Sequence, residues 1–221
     1  IMDDVTITDR SGQGSWIAVH GPKSREALGV AIPDLKEFHF ARVDDRLISR
    51  RDLTGAEGYE VWSPQPLKPP VPTGSFQTYE TARIENGFPR WGVDMGPDLL
   101  PMEAGLEPIA ISYTKGCYIG QEVIQRVKTY SEPVRRLVSL ALEGNVLPIR
   151  GEAIMAGTLE AGRITSAAAT PQGVVALGLV RKEFKEFGTR LQIGTVSAIV
   201  RPSRRSASAG PPEGLTRLGG S

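Results

Sequence analysis

Lys115-Gly116-Cys117-Tyr118-Ile119-Gly120-Gln121-Glu122, continued by Val123-Ile124-Gln125-Arg126-Val127, is the stretch around which the chain is organised. It contains the only cysteine. Gly116 and Gly120 sit four residues apart, and glycine tolerates positive φ and close backbone approach, so the segment reads as a tight turn. Beyond Gly120 the spacing predicts a helix: Val123, Ile124 and Val127 share one face, Glu122 lies in the first turn and Lys128 near the end. Cys117 then falls just ahead of a helix N-terminus and two residues from Lys115. A helix start and a nearby cation both favour a thiolate. The competing reading of a lone cysteine is a small buried hydrophobe.

The composition narrows the classes. The chain has 221 residues, 40% hydrophobic and 23% charged, which suits a globular protein of one large or two smaller domains. A formal net charge of +1 supplies no global basic field, so there is no strong nucleic-acid signal. One cysteine excludes an intramolecular disulfide framework and a multi-cysteine metal site. With only His20 and His39 as imidazoles, no zinc site and no self-contained iron–sulfur cluster is expected. No apolar run approaches the roughly 18 residues of a membrane span, and no signal peptide is visible. The reading is a protein with no membrane partner, in the cytoplasm or, in a eukaryote, the mitochondrial matrix.

Along the chain, Val5-Thr6-Ile7 and Ser15–Val19 read as strands. A turn at His20-Gly21-Pro22 leads to a short helix over Lys23–Leu28, with Ser24 as its cap. Phe38–Val43 and Arg46–Arg51 read as strands around a hairpin turn at Asp44-Asp45. Pro64, Pro66, Pro69, Pro70 and Pro72 exclude a helix between Pro64 and Gly74. Tyr79–Glu85 is helix-like, and Trp91 reads as a packing residue. Glu132-Pro133 marks a boundary. Past it the period becomes two: Arg136–Leu142, Glu152–Ala156, Leu159–Ser166, Val174–Val180 and Leu191–Val200 read as short strands of a small antiparallel barrel. Arg201–Ser221 is rich in Arg, Ser, Gly and Pro and is expected to be disordered. Its Arg201, Arg204 and Arg205 are read as a solvated tail rather than an RNA contact.

The motif resembles the Lys-Gly-Cys-Phe/Tyr-x-Gly-Gln-Glu signature of the YgfZ family. Those proteins are folate-binding relatives of the glycine-cleavage T-protein (GcvT, an aminomethyltransferase), implicated in iron–sulfur cluster assembly and repair and in tRNA modification. Further blocks carry the resemblance. Thr54-Gly55-Ala56-Glu57-Gly58-Tyr59-Glu60-Val61 is similar to the T-protein Thr-Gly-x-x-Gly-Phe/Tyr-Glu-Ile/Val, although Leu53 replaces the usual Tyr before it. Thr81-Ala82-Arg83-Ile84-Glu85-Asn86-Gly87 is similar to Thr-Leu-Arg-Leu/Ile-Glu-Ala-Gly. Phe88–Asp94 and Leu100–Leu106 continue it, and Gly162-Arg163-Ile164-Thr165-Ser166 with Ala176–Arg181 resembles the T-protein C-terminal barrel.

The resemblance implies an α+β fold: a partial T-protein-like folate-binding domain over 1–131, lacking its first half, then a small antiparallel β-barrel over 132–200 and a tail over 201–221. The chain is accordingly read as a fragment or truncated product. The implied cofactor is tetrahydrofolate or a one-carbon derivative, with Glu60 accepting paired N–H bonds from the pteridine and Arg83 contacting the folate. Cys117 is the implied functional thiol, with Lys115 beside it and Gly116, Tyr118, Gly120, Gln121 and Glu122 completing the motif. No metal site is implied. Implied partners are a reduced folate and iron–sulfur client or assembly proteins, for a monomer. Three functions stay open: support of iron–sulfur enzymes, aminomethyl transfer to tetrahydrofolate, and a non-enzymatic interaction module. The T-protein's N-terminal aspartate lies outside this sequence, and its motif lacks the cysteine-centred form, so the first reading leads.

Overall fold

A computed structural model describes residues 5–9 and 12–203. Its described residues form two compact units, one ending with Asp52 and resuming over Ala56–Thr73, the other formed by Leu53–Gly55 and the chain from Gly74 onward.

The first unit is a four-stranded antiparallel sheet. Its strands are β1 (Ser15–His20), β2 (Phe40–Val43), β3 (Arg46–Arg50) and β4 (Gly58–Ser63), in spatial order β1-β4-β3-β2. Alternation decides the faces. Val19 pairs with Tyr59, and Val61 lies between Ile17 and Ile48, so these side chains share the buried face, closed by Ile32 and Leu35. The hairpin between β2 and β3 turns at Asp44-Asp45 as expected, with Asp44 at φ 55°, a left-handed conformation that aspartate accepts more readily than most residues. The short helix is α1 (Ser24–Ala27). Ser24 is not its cap: Lys23 holds that position, and the Ser24 hydroxyl donates to the Glu57 carbonyl at 3.0 Å. Val5-Thr6-Ile7 is not a strand: among the described residues nothing pairs with it, and Val5 and Ile7 lie exposed.

The second unit begins past the proline-rich stretch. Helix α2 (Phe76–Glu85) starts three residues earlier than the periodicity suggests, because Ser75 caps it and accepts from the Thr78 amide at 3.1 Å. Two further helices, α3 (Glu107–Ala110) and α4 (Gln121–Tyr130), precede the barrel. The barrel is closed from β5 (Arg135–Leu142), β6 (Ala153–Ala156), β7 (Leu159–Thr170), β8 (Gly173–Arg181), β9 (Arg190–Ile193) and β10 (Val196–Arg201), in order β10-β5-β8-β7-β6-β9. The alternating pattern fills it with Leu140, Ile154, Ile164, Val180, Leu191 and Val200. The segment Leu191–Val200, read as one strand, is a hairpin turning at Gly194, whose φ is 55°. Closure therefore uses six strands and leaves no free edge.

One expectation shifts. Arg201 is not tail: it ends β10, with its Nη2 donating to the Glu85 carbonyl. The rest of the expected tail, with Arg204 and Arg205, lies outside the described residues. The two compact units divide after Thr73, and Ile84 of α2 packs on Ala168, Val175 and Leu177 of the barrel. No helix among the described residues is long and apolar enough to cross a membrane.

Candidate functional site

Glu60 is central in the first unit's sheet. On β4 it stands opposite Ala18 on β1 and Ser49 on β3, on the face away from the core that Tyr59 and Val61 fill. Its carboxylate is half-buried and makes no hydrogen bond or ion pair among the described residues. His20 shares that face, paired with Gly58 two residues from Glu60. Only glycine fits at position 58, since a Cβ there would stand 2.2 Å from His20 Nδ1. Both imidazole nitrogens are buried without a hydrogen-bond partner. Burial pushes the His20 pKa below its ordinary value, against the opposing pull of the Glu60 and Asp52 carboxylates.

That depression sets a pH dependence. The unfolded chain takes up the His20 proton at a higher pH than the folded chain does. Stability is therefore fully present above the unfolded pKa of 6.5 and is lost as the pH falls through that value toward the lower folded one. The urea midpoint of the first unit, followed by Trp16 and Trp62 fluorescence, should fall between about pH 7.5 and about pH 5.5, and the slope should flatten in His20→Asn. An unchanged slope in the variant would assign the pH dependence to other groups.

Arg83 lies inside the second unit. Its side chain is 1% exposed, and all its donors are taken inside the second unit. Nε and Nη2 form a fork onto Glu80 at 3.0 and 2.7 Å. Nη1 donates to Asp94 and to the Phe88 carbonyl, and Nη2 also to Ser166 Oγ at 2.9 Å. Asp94 is a second hub, accepting from the Arg90 amide at 2.9 Å, from Thr165 Oγ1 at 2.6 Å and from Ser166 Oγ. Burial alone would lower the Arg83 pKa, but Glu80 and Asp94 carry it above the ordinary guanidinium value. The residue is a structural clasp between α2, the Asp94 loop and β7, with no donor left for a ligand. The sequence reading missed Glu80, Asp94, Thr165 and Ser166 as its partners. Phe88–Asp94 and Gly162–Ser166 had both been matched to family blocks, and that co-occurrence was the available signal.

The Lys115–Glu122 motif forms an exposed loop leading into α4. Gly120 is the helix N-cap in a left-handed conformation at φ 85°, and Gln121 is the first helical residue, as the turn reading expects. Cys117 is a free, exposed cysteine rather than a buried hydrophobe. The Lys115 ammonium lies 4.7 Å from the Tyr118 ring centroid, a cation–π contact. Tyr118 buries its hydroxyl without a partner. Beside it, Tyr113 donates to Glu107 at 2.7 Å and stacks beneath the Lys128 ammonium. Burial and the Glu107 contact push the Tyr113 phenol well above its ordinary range. Trp91, expected to pack, is 64% exposed. No cluster of three or more metal-ligating side chains occurs among the described residues. Glu60 thus belongs to one unit, and Arg83 and the motif to the other.

Residues 135–203 match the glycine cleavage T-protein C-terminal barrel domain. Over 200 residues the chain is 30% identical to an aminomethyltransferase of Aquifex aeolicus, covering 85% of this chain and 55% of that protein. It is 26% identical over 217 residues to an aminomethyltransferase of Caldanaerobacter subterraneus subsp. tengcongensis, covering 86% of this chain and 56% of that one. A crystal structure of glycine cleavage system aminomethyltransferase T from Bartonella henselae shares the fold, with a TM-score of 0.70 at 20% identity over 85% of this chain and 58% of that one. The chain spans about half the length of the curated relatives it matches. The likeness supports the T-protein superfamily resemblance that the motifs carry, and the named relatives are aminomethyltransferases.

Proposed function

We propose that this chain binds a reduced folate in the manner of the T-protein superfamily, with tetrahydrofolate or a one-carbon derivative as its ligand. The observation that carries the reading is the contrast between two motif residues. Arg83 spends every donor internally, whereas the half-buried Glu60 carboxylate has no hydrogen-bond partner among the described residues. A carboxylate so placed accepts two parallel N–H bonds from a pteridine amino group and ring nitrogen. Glu60 is the recognition residue in this reading, and Arg83 is excluded from ligand contact.

Calorimetric titration of the chain with tetrahydrofolate and 5-formyltetrahydrofolate tests it. Glu60→Ala should weaken binding by about tenfold to a hundredfold, the cost of hydrogen bonds to a charged group. Absence of binding by the folded wild-type chain, or equal binding by the variant, overturns it.

The finer reading is YgfZ-like support of iron–sulfur enzymes and iron–sulfur-dependent tRNA modification, with Cys117 as the working thiol and client or assembly proteins as partners. It is favoured by the exposure of Cys117 in a loop that opens onto a helix. In a strain lacking this protein, expression of the Cys117→Ala variant should leave iron–sulfur enzyme activity near the deletion level, while Cys117→Ser should restore less than the wild type. Full rescue by Cys117→Ala would remove the thiol from the function. The second reading is aminomethyl transfer to tetrahydrofolate, favoured by the names of the relatives. Methylenetetrahydrofolate formation by the protein with a lipoylated carrier would establish it.

A further inference from the structure

The second unit contains a cavity of about 580 Å³, within the range that takes metabolite-sized ligands. It lies beside the start of β5 and the end of β10, and shares Glu107 and Lys128 with the tyrosine cluster next to the motif. Its wall carries five cations against three carboxylates: Lys128, Arg135, Arg136, Lys185 and Arg201 against Glu107, Glu132 and Glu186. Two of the cations are neutralised, Arg135 by Glu103 and Lys185 by Glu132, both at 3.0 Å.

Arg136 and Arg201 form no close ion pair among the described residues; each donates to a backbone carbonyl, of Met102 and Glu85 respectively, and the Glu85 carboxylate acts on Arg201 only at longer range. Arg201 Nε is buried with no partner, and burial pulls the guanidinium below its ordinary pKa. A half-buried cation with a buried, unpartnered Nε is under-compensated, and a planar carboxylate matches its fork. Met102, Ile109 and Leu137 supply an apolar surface to the same cavity.

We propose that this cavity is a binding site for a small organic carboxylate, its oxygens held by Arg201 and Arg136 and its apolar body lying on Met102, Ile109 and Leu137. The site lies wholly in the second unit, and the proposal is independent of Glu60 and of the folate reading.

Benzoate and its uncharged analogue benzamide are the probes, titrated into isotope-labelled full chain and followed by amide chemical shifts at constant ionic strength. Benzoate should shift the amides of Gly87, Gly105 and Ser139, which line the cavity, and bind at least about tenfold more tightly than benzamide. Arg201→Gln should reduce benzoate affinity by about tenfold or more, and Arg201→Lys should recover part of it. Because Arg201 also holds the end of α2, Arg136→Gln serves as a second variant and should weaken benzoate in the same direction. Equal affinity for benzoate and benzamide, shifts confined to other residues, or unchanged benzoate affinity in either folded glutamine variant overturns the proposal.

Discussion

Replacing Arg83 by Met should lower the stability of the second unit by about 3–5 kcal/mol, the usual cost of removing one partner from a buried ion pair. The reason is what remains. Asp94 has 0% side-chain exposure and Glu80 has 12%, and both face the guanidinium. Without it Asp94 keeps only the Arg90 amide and two hydroxyls against a full buried charge. The urea midpoint read by Trp91 fluorescence should drop accordingly, whereas the first unit's Trp16 and Trp62 should respond little. The double variant Arg83→Met with Asp94→Leu should recover much of the loss, since an apolar replacement of the whole pair removes the stranded charge. A loss under about 1 kcal/mol in Arg83→Met would mean that water reaches the pair and screens it.

Gly162→Ala should cost the barrel about 3 kcal/mol, at the upper end of the usual cost of overpacking. A Cβ on Gly162 would stand 2.1 Å from the Leu179 carbonyl oxygen and 2.7 Å from Val180 Cα. Both atoms are backbone of β8, so no side chain can swing away. Gly162 is opposite Ile154 on β6 and Val180 on β8, and both ladders shift register close by, at Ile154/Met155 and at Ile164/Ser166. Glycine at such a crossing lets three strands approach while the sheet bends. Relieving the clash means opening the β7–β8 ladder beside Ile164, which is buried in the core. Thermal unfolding should show the loss, and hydrogen exchange should show faster opening of the Leu179 and Val180 amides. Exchange unchanged at those amides would show that the barrel absorbs the methyl elsewhere.

Strand alternation and turn residues made the barrel legible because each strand's faces are set locally. The Leu191–Val200 error has the same origin: a two-residue turn at Gly194-Thr195 interrupts the alternation too briefly to break the pattern. The helix after Gly120 was legible from its apolar spacing, and so was the helix-free proline run. The role of Arg83 was not. Beyond Glu80 three residues before it, its partners are 11 residues away at Asp94 and 83 at Ser166, and an i,i+3 carboxylate does not separate an arginine that grips a ligand from one that grips the protein. The Val5-Thr6-Ile7 error is similar, since β-propensity makes a strand only where a neighbouring strand accepts its hydrogen bonds. The place of Glu60 on β4 was legible; its lack of an internal partner required the pairings of β1, β3 and β4.

The bonds of Asp94 to Thr165 and Ser166 also bear on how such a gene can be cut and rejoined. The matched barrel domain begins at residue 135, yet every charged group that its Thr165 and Ser166 hydroxyls meet in this network is encoded at positions 80–94. A recombination event with its breakpoint at residue 134 would bring a foreign Arg83–Asp94 clasp against native hydroxyls, or the reverse, and the hybrid would inherit a mismatched buried charge. A breakpoint near residue 73, within the proline-rich stretch, transmits both halves together. The heritable module is the helix, the Asp94 loop and the barrel as one cassette.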